Sequence, residues 1–392
     1  MNEGTKKESF HQGNLRLVLQ QVINNAPISR IEIARNLGMN KSSITTLYNE
    51  VDEMGYLKEI GSGEASKMGG RKPTLVTIND KYGYTVSVDL GYRHLHIMSN
   101  LLNGESIGYE RIEINSRDIL DIVDIINKQI QTINADMDTE NGLLGIAFSI
   151  HGVVYENQIS KSPFWDVKDV DLKQIFEDKY HVPVILENEA NLSAVYERDF
   201  NAAQNENNIL SVSIHKGVGA GIILNRHLYH GFKGAAGEIG SSLMFTDIDE
   251  QNQYNFDKVE NYCSEDAIIE NIQRQKNITG LDRDGLEKLL RDGDKDTQRV
   301  IDLFIAAISR VIYNASVSFS PEKIFINSRL MEDIPEIFTA IQTTTKSLDM
   351  VPELYLTKHS NYATLLGACS MITHHVLGLD DYNLVFSGHD NK

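Results

Sequence analysis

Cysteine is nearly absent: the 392-residue chain carries only Cys263 and Cys369. They form no CxxC pair, so neither a disulfide framework nor a cysteine zinc cluster is supported, and both read as buried thiols rather than nucleophiles. Long apolar runs are missing too. No stretch of about 18 apolar residues offers a membrane-spanning helix, and the opening MNEGTKKESFHQGN lacks the apolar core of a secretory signal. The expected compartment is the cytoplasm, with no membrane partner. Positive charge is in deficit, 37 Lys and Arg against 55 Asp and Glu, for a net charge of −18. Taken alone, that sum argues against nucleic acid as a partner. The deficit is unevenly spread, however. Residues 1–80 hold 10 basic and 9 acidic side chains, and the remainder holds 27 and 46. An acidic body is repelled by phosphate, so contact with DNA would be confined to the N-terminal segment. The lone tryptophan, Trp165, follows Pro163 and Phe164 and reads as a packing residue rather than a sugar-stacking one.

What is present is ordinary for a soluble protein, 41% hydrophobic and 23% charged, over a length that suggests two or three domains. In residues 14–25 the apolar positions are Leu15, Val18, Leu19, Val22 and Ile23, the spacing of an amphipathic helix, which Pro27 stops. Ser29 with Glu32 forms a capping-box pattern for a second helix that buries Ile33, Ala34 and Leu37 and ends at Gly38. Asn40 then caps a third helix with a core stripe of Ile44, Leu47, Tyr48, Val51 and Met54. Two helices joined by a short glycine-containing turn predict a helix-turn-helix. Strands at 57–60 and 74–78 flank the basic, glycine-rich GSGEASKMGGRKP (61–73), which reads as a wing. A linker at 80–83 follows.

From residue 84 the pattern becomes alternating strands and helices. Strands are expected at 84–89, 94–102, 105–114, 142–150 and 182–186, with helices at 119–133 and from residue 190. Near residue 209 the chain restarts, since VSIHKG (212–217) echoes VSVDLG (86–91). Two similar α/β halves would place a small-ligand cleft between them.

Four segments carry candidate chemistry. On the third helix, Ser42, Thr45, Thr46 and Asn49 lie opposite Ile44 and Val51. They are short polar side chains suited to base edges in a major groove, with Lys41, Lys67, Arg71 and Lys72 to neutralise phosphates. A protein-interaction module with a solvated polar face is the alternative. LENEAN (186–191) offers Asn188 as donor and Glu189 as acceptor for sugar hydroxyls, or Glu189 as a general base, against plain helix capping by Asn188. KGVGAG (216–221) is either a phosphate-facing turn or a structural one. GFKGAAGEIG (231–240) carries Glu238, either ligand-facing or solvated.

Together these segments resemble the ROK family of repressors and sugar kinases, in the stretch SRIEIARNLGMNKSSITTLYNEVDEMGYLKE, in GGRKP, and in VSVDLG, GIAFSIHGVV, LENEANLSA, GVGAGIILN, GAAGEIG and LLGACSM. The likeness covers residues 14–378. It implies an α/β fold: a winged helix-turn-helix at 1–80, and a two-lobed actin-like ATPase domain with lobes at 82–203 plus 361–392 and at 204–360. The family's kinases carry Asp-x-Gly-Gly-Thr, where this chain has Asp89, Leu90, Gly91, Tyr92 and Arg93. They place an Asp base where Glu189 stands. Misplacing a carboxylate by about 1 Å can cost roughly a hundredfold in rate. A zinc-ligating His is replaced by Ser241, and the usual cysteine-rich zinc segment near 247–259 has no cysteine.

The resemblance therefore implies a non-enzymatic transcriptional regulator without catalytic residues, its ATP site degenerate and its zinc site lost. It would be a repressor of carbohydrate genes. The partners would be operator DNA and a sugar, xylose or another monosaccharide, held near Gly152, Asn188, Glu189, Glu238 and Ser241. A homodimer or higher homo-oligomer would read a pseudo-palindrome. The rival readings are a sugar kinase with an appended DNA-binding domain and a regulator that answers to a protein partner.

Overall fold

A computed structural model describes residues 3–63, 72–167, 170–201, 203–248 and 253–386. It opens with α1 (Glu3–Asn25), in which Leu15, Val18, Leu19, Val22 and Ile23 are all buried. The helix starts well before residue 14, and its extension includes His11, which bonds to Glu50 at 2.7 Å. Strand β1 (Ile28–Ser29) leads into α2 (Arg30–Leu37). The Ser29 hydroxyl and Glu32 cap each other reciprocally, and the Ser29 hydroxyl and N–H hold the Glu32 carboxyl below its ordinary pKa. Gly38 ends α2 in the left-handed conformation, φ 63°. Asn40 accepts from the Ser43 N–H at 2.8 Å and starts α3 (Lys41–Glu53). Ile44, Leu47, Tyr48 and Val51 form its buried stripe. Met54 was expected among them but is exposed, because α3 ends at Glu53 and the chain turns at Gly55. Strands β2 (Leu57–Ser62) and β3 (Thr74–Ile78) pair antiparallel, and β1 joins the other side of β3.

Next come β4 (Tyr84–Leu90), β5 (His94–Leu101), β6 (Ser106–Glu113), α4 (Ile119–Asp136), β7 (Leu143–Ile150), the hairpin β8 (Val153–Tyr155) and β9 (Gln158–Lys161), α5 (Leu172–Tyr180) and β10 (Val184–Asn188). The sheet order is β10-β7-β4-β5-β6. Central β4 is antiparallel to β5 (Val88 opposite Ile97) and parallel to β7 (Val88 opposite Phe148). The apolar stripe of α4, Ile119, Ile122, Val123, Ile126 and Ile130, packs into this core, as do Phe148, Phe176 and Trp165.

The second half holds α6 (Glu189–Asp199), β11 (Ile209–Ile214), β12 (Val218–Leu224), β13 (His227–Leu228), a hairpin of β14 (Leu243–Ile248) and β15 (Tyr254–Lys258), then α7 (Glu260–Cys263), α8 (Glu265–Lys276), α9 (Arg283–Arg291), α10 (Lys295–Phe319), β16 (Lys323–Asn327), α11 (Arg329–Asp333), α12 (Pro335–Lys346), β17 (Leu354–Leu356) and α13 (Ser360–Val376). Its sheet runs β13-β12-β11-β16-β17. Central β11 is antiparallel to β12 (Val212 opposite Ala220) and parallel to β16 (Val212 opposite Ile326). Numbered within each half, both sheets read 3-2-1-4-5, so the echo of VSVDLG in VSIHKG marks the same central strand twice. Helix α10 is long and apolar enough to cross a membrane, yet its Val300, Ile301, Phe304, Ile308 and Ile312 are buried in this half's core.

Contacts divide the chain into two compact units, Met1–Glu187 with Ala368–Lys392, and Asn188–Gly367. The first division falls before α6, earlier than the expected lobe limit at 203, because α6 packs on β11 and β12. Within the first unit, the segment after α13 is tied to α1. The Asn383 carbonyl accepts from Gln20 at 2.8 Å and from Asn24 at 2.9 Å, and the Val385 N–H donates to Asn24 Oδ1 at 2.9 Å.

Candidate nucleic-acid interface and ligand site

The helix-turn-helix puts the apolar stripe of α3 inward and its polar residues outward. Lys41, Ser42, Thr45, Thr46 and Asn49 are all exposed. The hydroxyls of Thr45 and Thr46 bond back to the carbonyls of Lys41 and Ser42 at 2.8 and 3.3 Å, which leaves their lone pairs and methyl groups on the open face. Behind that face the Arg30 guanidinium stacks on the buried Tyr48 ring, 4.1 Å from its centroid. At the base of the wing the Gly63 N–H donates to the Pro73 carbonyl at 2.8 Å, and Lys72 is exposed beside it. Lys67 and Arg71 lie outside the described residues. Five exposed polar side chains on a rigidly backed helix have the geometry of a groove-reading surface.

In the second unit, the expected ligand residues Asn188, Glu189, Glu238 and Ser241 fall on two segments pressed onto β12. Asn188 caps α6, accepting from the Asn191 N–H at 3.1 Å, so its capping role is real. Glu189 is the first residue of α6 and is buried. The helix start sits directly on β12: a Cβ on Gly221 would lie 2.2 Å from the Ala190 carbonyl oxygen. The 231–240 loop presses on the same strand, where a Cβ on Gly237 would lie 1.8 Å from the Ala220 carbonyl oxygen. Both glycines are therefore dictated by close backbone approach. Glu238 and Ser241 are exposed in this loop. Gly152 belongs to the first unit, just before β8.

Two pairings were not read from the sequence. Asp89, at the end of β4, is bonded to His151 at 3.0 Å. Burial opposes its charge, but the His151 contact, supported by His96 and Ser149, holds the carboxyl below its ordinary pKa. In the second unit, His215 follows β11 and its Nε2 lies 3.5 Å from Glu189 Oε1. The repeat could have found this one, since VSVDLG and VSIHKG align Asp89 with His215. In each half a residue within one position of the central strand's end meets a partner, Asp89 a histidine and His215 a glutamate.

Of the residues standing at the family's phosphate loop, Tyr92 is packed. The Tyr92 ring lies 5.1 Å from that of Phe164, and the Arg117 guanidinium covers it. Arg93 is exposed. The resemblance would place a zinc segment near 247–259; among the described residues there, β15 pairs antiparallel with β14, and Phe245 packs against Phe256. Among the described residues no three His, Cys, Asp or Glu side chains gather closely enough for a metal. Residues 241–259 contain no His or Cys, and the Tyr92 ring packs against Phe164 and Arg117. Both thiols, Cys263 and Cys369, are buried, which pushes each pKa up to about 12 and keeps them from acting as nucleophiles.

Comparison with known proteins adds the following. The model of the ROK family matches residues 85–375. A xylose repressor of Lactiplantibacillus pentosus is 43% identical over 391 residues, 99% of this chain and 100% of its own length. A xylose repressor of Staphylococcus xylosus is 36% identical, covering 95% of this chain and 97% of its own. Among solved structures, a ROK family transcriptional regulator described as a homolog of the Escherichia coli Mlc protein superposes with a TM-score of 0.78 at 22% identity, over 95% of this chain and 98% of the other.

Proposed function

The chain belongs to the ROK family, and from that membership we propose that it is a DNA-binding transcriptional repressor of carbohydrate-metabolism genes whose kinase-like part senses a sugar. The observation that carries this is the exposed face of α3, Lys41, Ser42, Thr45, Thr46 and Asn49, on a helix whose other face is locked into a winged-helix core. A kinase has no use for such a surface. Full-length identity to repressors supports the same conclusion, because that identity includes the DNA-binding module and not the kinase-like part alone. Xylose is the first candidate effector, by the names of those relatives.

In this reading Asn188, Glu189, Glu238 and Ser241, all in the second unit, contact the sugar. Tyr92 and Glu189, which stand where kinases keep phosphate-binding and catalytic groups, leave the domain a sensor without ATP, zinc or turnover. The sugar binds one conformation better than another and so biases the winged helix, as differential affinity requires. The protein acts in the cytoplasm, as a homodimer that sets two α3 helices on a pseudo-palindromic operator.

The test is a gel shift with the promoter DNA adjoining the protein's own gene, at low salt, repeated with xylose and a monosaccharide panel. A specific shift released by one sugar is the expected result. Absence of any shift would remove the assignment.

A further inference from the structure

We infer that His215 is a ligand-contacting, specificity-determining residue of the sugar site, paired with Glu189 to read one hydroxyl group; this rests on the sugar-sensor reading above. Glu189 is buried, and its Oε1 has no hydrogen-bond partner among the described residues. A buried carboxylate oxygen left without a donor is costlier than an unpaired neutral group, so native structures keep such an atom where something else satisfies it. Its neighbour is His215 Nε2 at 3.5 Å, beyond direct hydrogen-bond length.

The pair is held rigidly. Glu189 opens α6, whose first turn is pressed onto β12 at Gly221. His215 lies in the tight turn between β11 and β12. Its N–H donates to the Gly217 carbonyl at 3.0 Å, and its own carbonyl accepts from the Glu265 N–H at 2.7 Å. The backbone that carries each group is fixed by these contacts, and the side chains stand 3.5 Å apart.

The chemistry of the gap selects the ligand class. With Nε2 protonated, the imidazole offers a donor and the carboxylate an acceptor. A hydroxyl oxygen to one side of the pair, about 2.8 Å from each atom, donates its hydrogen to Glu189 Oε1 and accepts from His215, satisfying both. An ammonium group only donates and a phosphate oxygen only accepts, so each would leave one partner unmatched. A polyhydroxylated ligand fits, and the pair reads the position of one of its hydroxyls. Sites built to bond a hydroxyl discriminate strongly against analogues that lack it.

The experiment is isothermal titration calorimetry on the full chain, with xylose and then a pentose and hexose panel. His215→Ala should weaken the preferred sugar about tenfold or more, and His215→Gln, which keeps a donor near the Nε2 position, should stay within about threefold of wild type. In a Glu189→Gln background His215→Ala should add less than about twofold, because the two act on the same hydroxyl. If His215→Ala melts early, the wild type titrated with singly deoxygenated analogues decides: one position should dominate the loss of affinity, and Glu189→Gln should erase that preference. Sugar binding that ignores both His215 substitutions, or a deoxy series with no dominant position, overturns the inference while the sensor reading stands. A wild type that binds no sugar overturns both.

Discussion

The guanidinium carbon of Arg117 lies 3.7 Å from the centroid of the Tyr92 ring, and its Nη1 donates to the Tyr92 carbonyl at 2.6 Å. With Phe164 on the ring as well, Tyr92 is held from more than one side where the family's kinases have a bare glycine. Incubation with ATP, magnesium and a monosaccharide panel should therefore yield no sugar-dependent ADP. Turnover on the order of 1–100 per second, ordinary for a kinase, would restore the enzymatic alternative. Tyr92→Gly combined with Arg93→Thr should also remain inactive, because Glu189 still stands in place of the aspartate.

The α3 face separates two kinds of DNA contact. Thr46→Ala should relax preference at particular base pairs, by about 1–3 kcal/mol at the positions it reads, with little effect on random DNA. Lys41→Ala and Arg71→Ala should weaken all sequences alike and lower the slope of log affinity against log salt by about one each. Binding titrations on operator and scrambled duplexes at several salt concentrations separate the two; equal losses for Thr46→Ala on both duplexes would deny it a reading role.

Glu197 supplies a pH prediction. It is fully buried on α6, and burial raises its pKa to about 8 despite contacts with Thr357 and Asn201. The folded protein therefore keeps a proton there that the unfolded chain loses near pH 4.5. Stability from this group is complete below about pH 4.5 and declines as pH rises to about 8. Glu197→Gln should remove that decline and stabilise the protein by a few kcal/mol near pH 8, with little gain at pH 4.5. Melting temperatures of the two proteins across pH 4.5–8.5 check this, and a constant difference would contradict it.

Asn24 bonds both to Asn383 and to Val385. Asn24→Ala should cost on the order of 1 kcal/mol locally, given the exposure of these bonds. Hydrogen exchange should quicken in residues 14–25 and 382–386 while β4 and β11 stay protected. Unchanged exchange in α1 would mean the contact holds nothing in place.

Much of this was legible in the residues. The three N-terminal helices followed from period and caps, since Ser29, Gly38 and Asn40 are local signals that tertiary packing had no reason to override. The repeat of the central strand was legible because both copies are buried and apolar. Met54 misled because periodicity does not show where a helix stops. The two-residue β1 was invisible because pairing with β3 depends on a long-range partner. The Asp89–His151 pair was missed because its members lie 62 positions apart, and the Glu189–His215 pair because the repeat marks His215 but not its partner 26 positions away.

The bonds between Asn24 and Val385 span 361 positions of chain. At roughly 5–20 residues per second of synthesis, the helix that carries Asn24 waits on the order of 20–70 s on the ribosome before its fastening partner exists. A polypeptide cut short beyond the wing would keep the apolar packing of α1, α2 and α3 and lose only this fastening of α1.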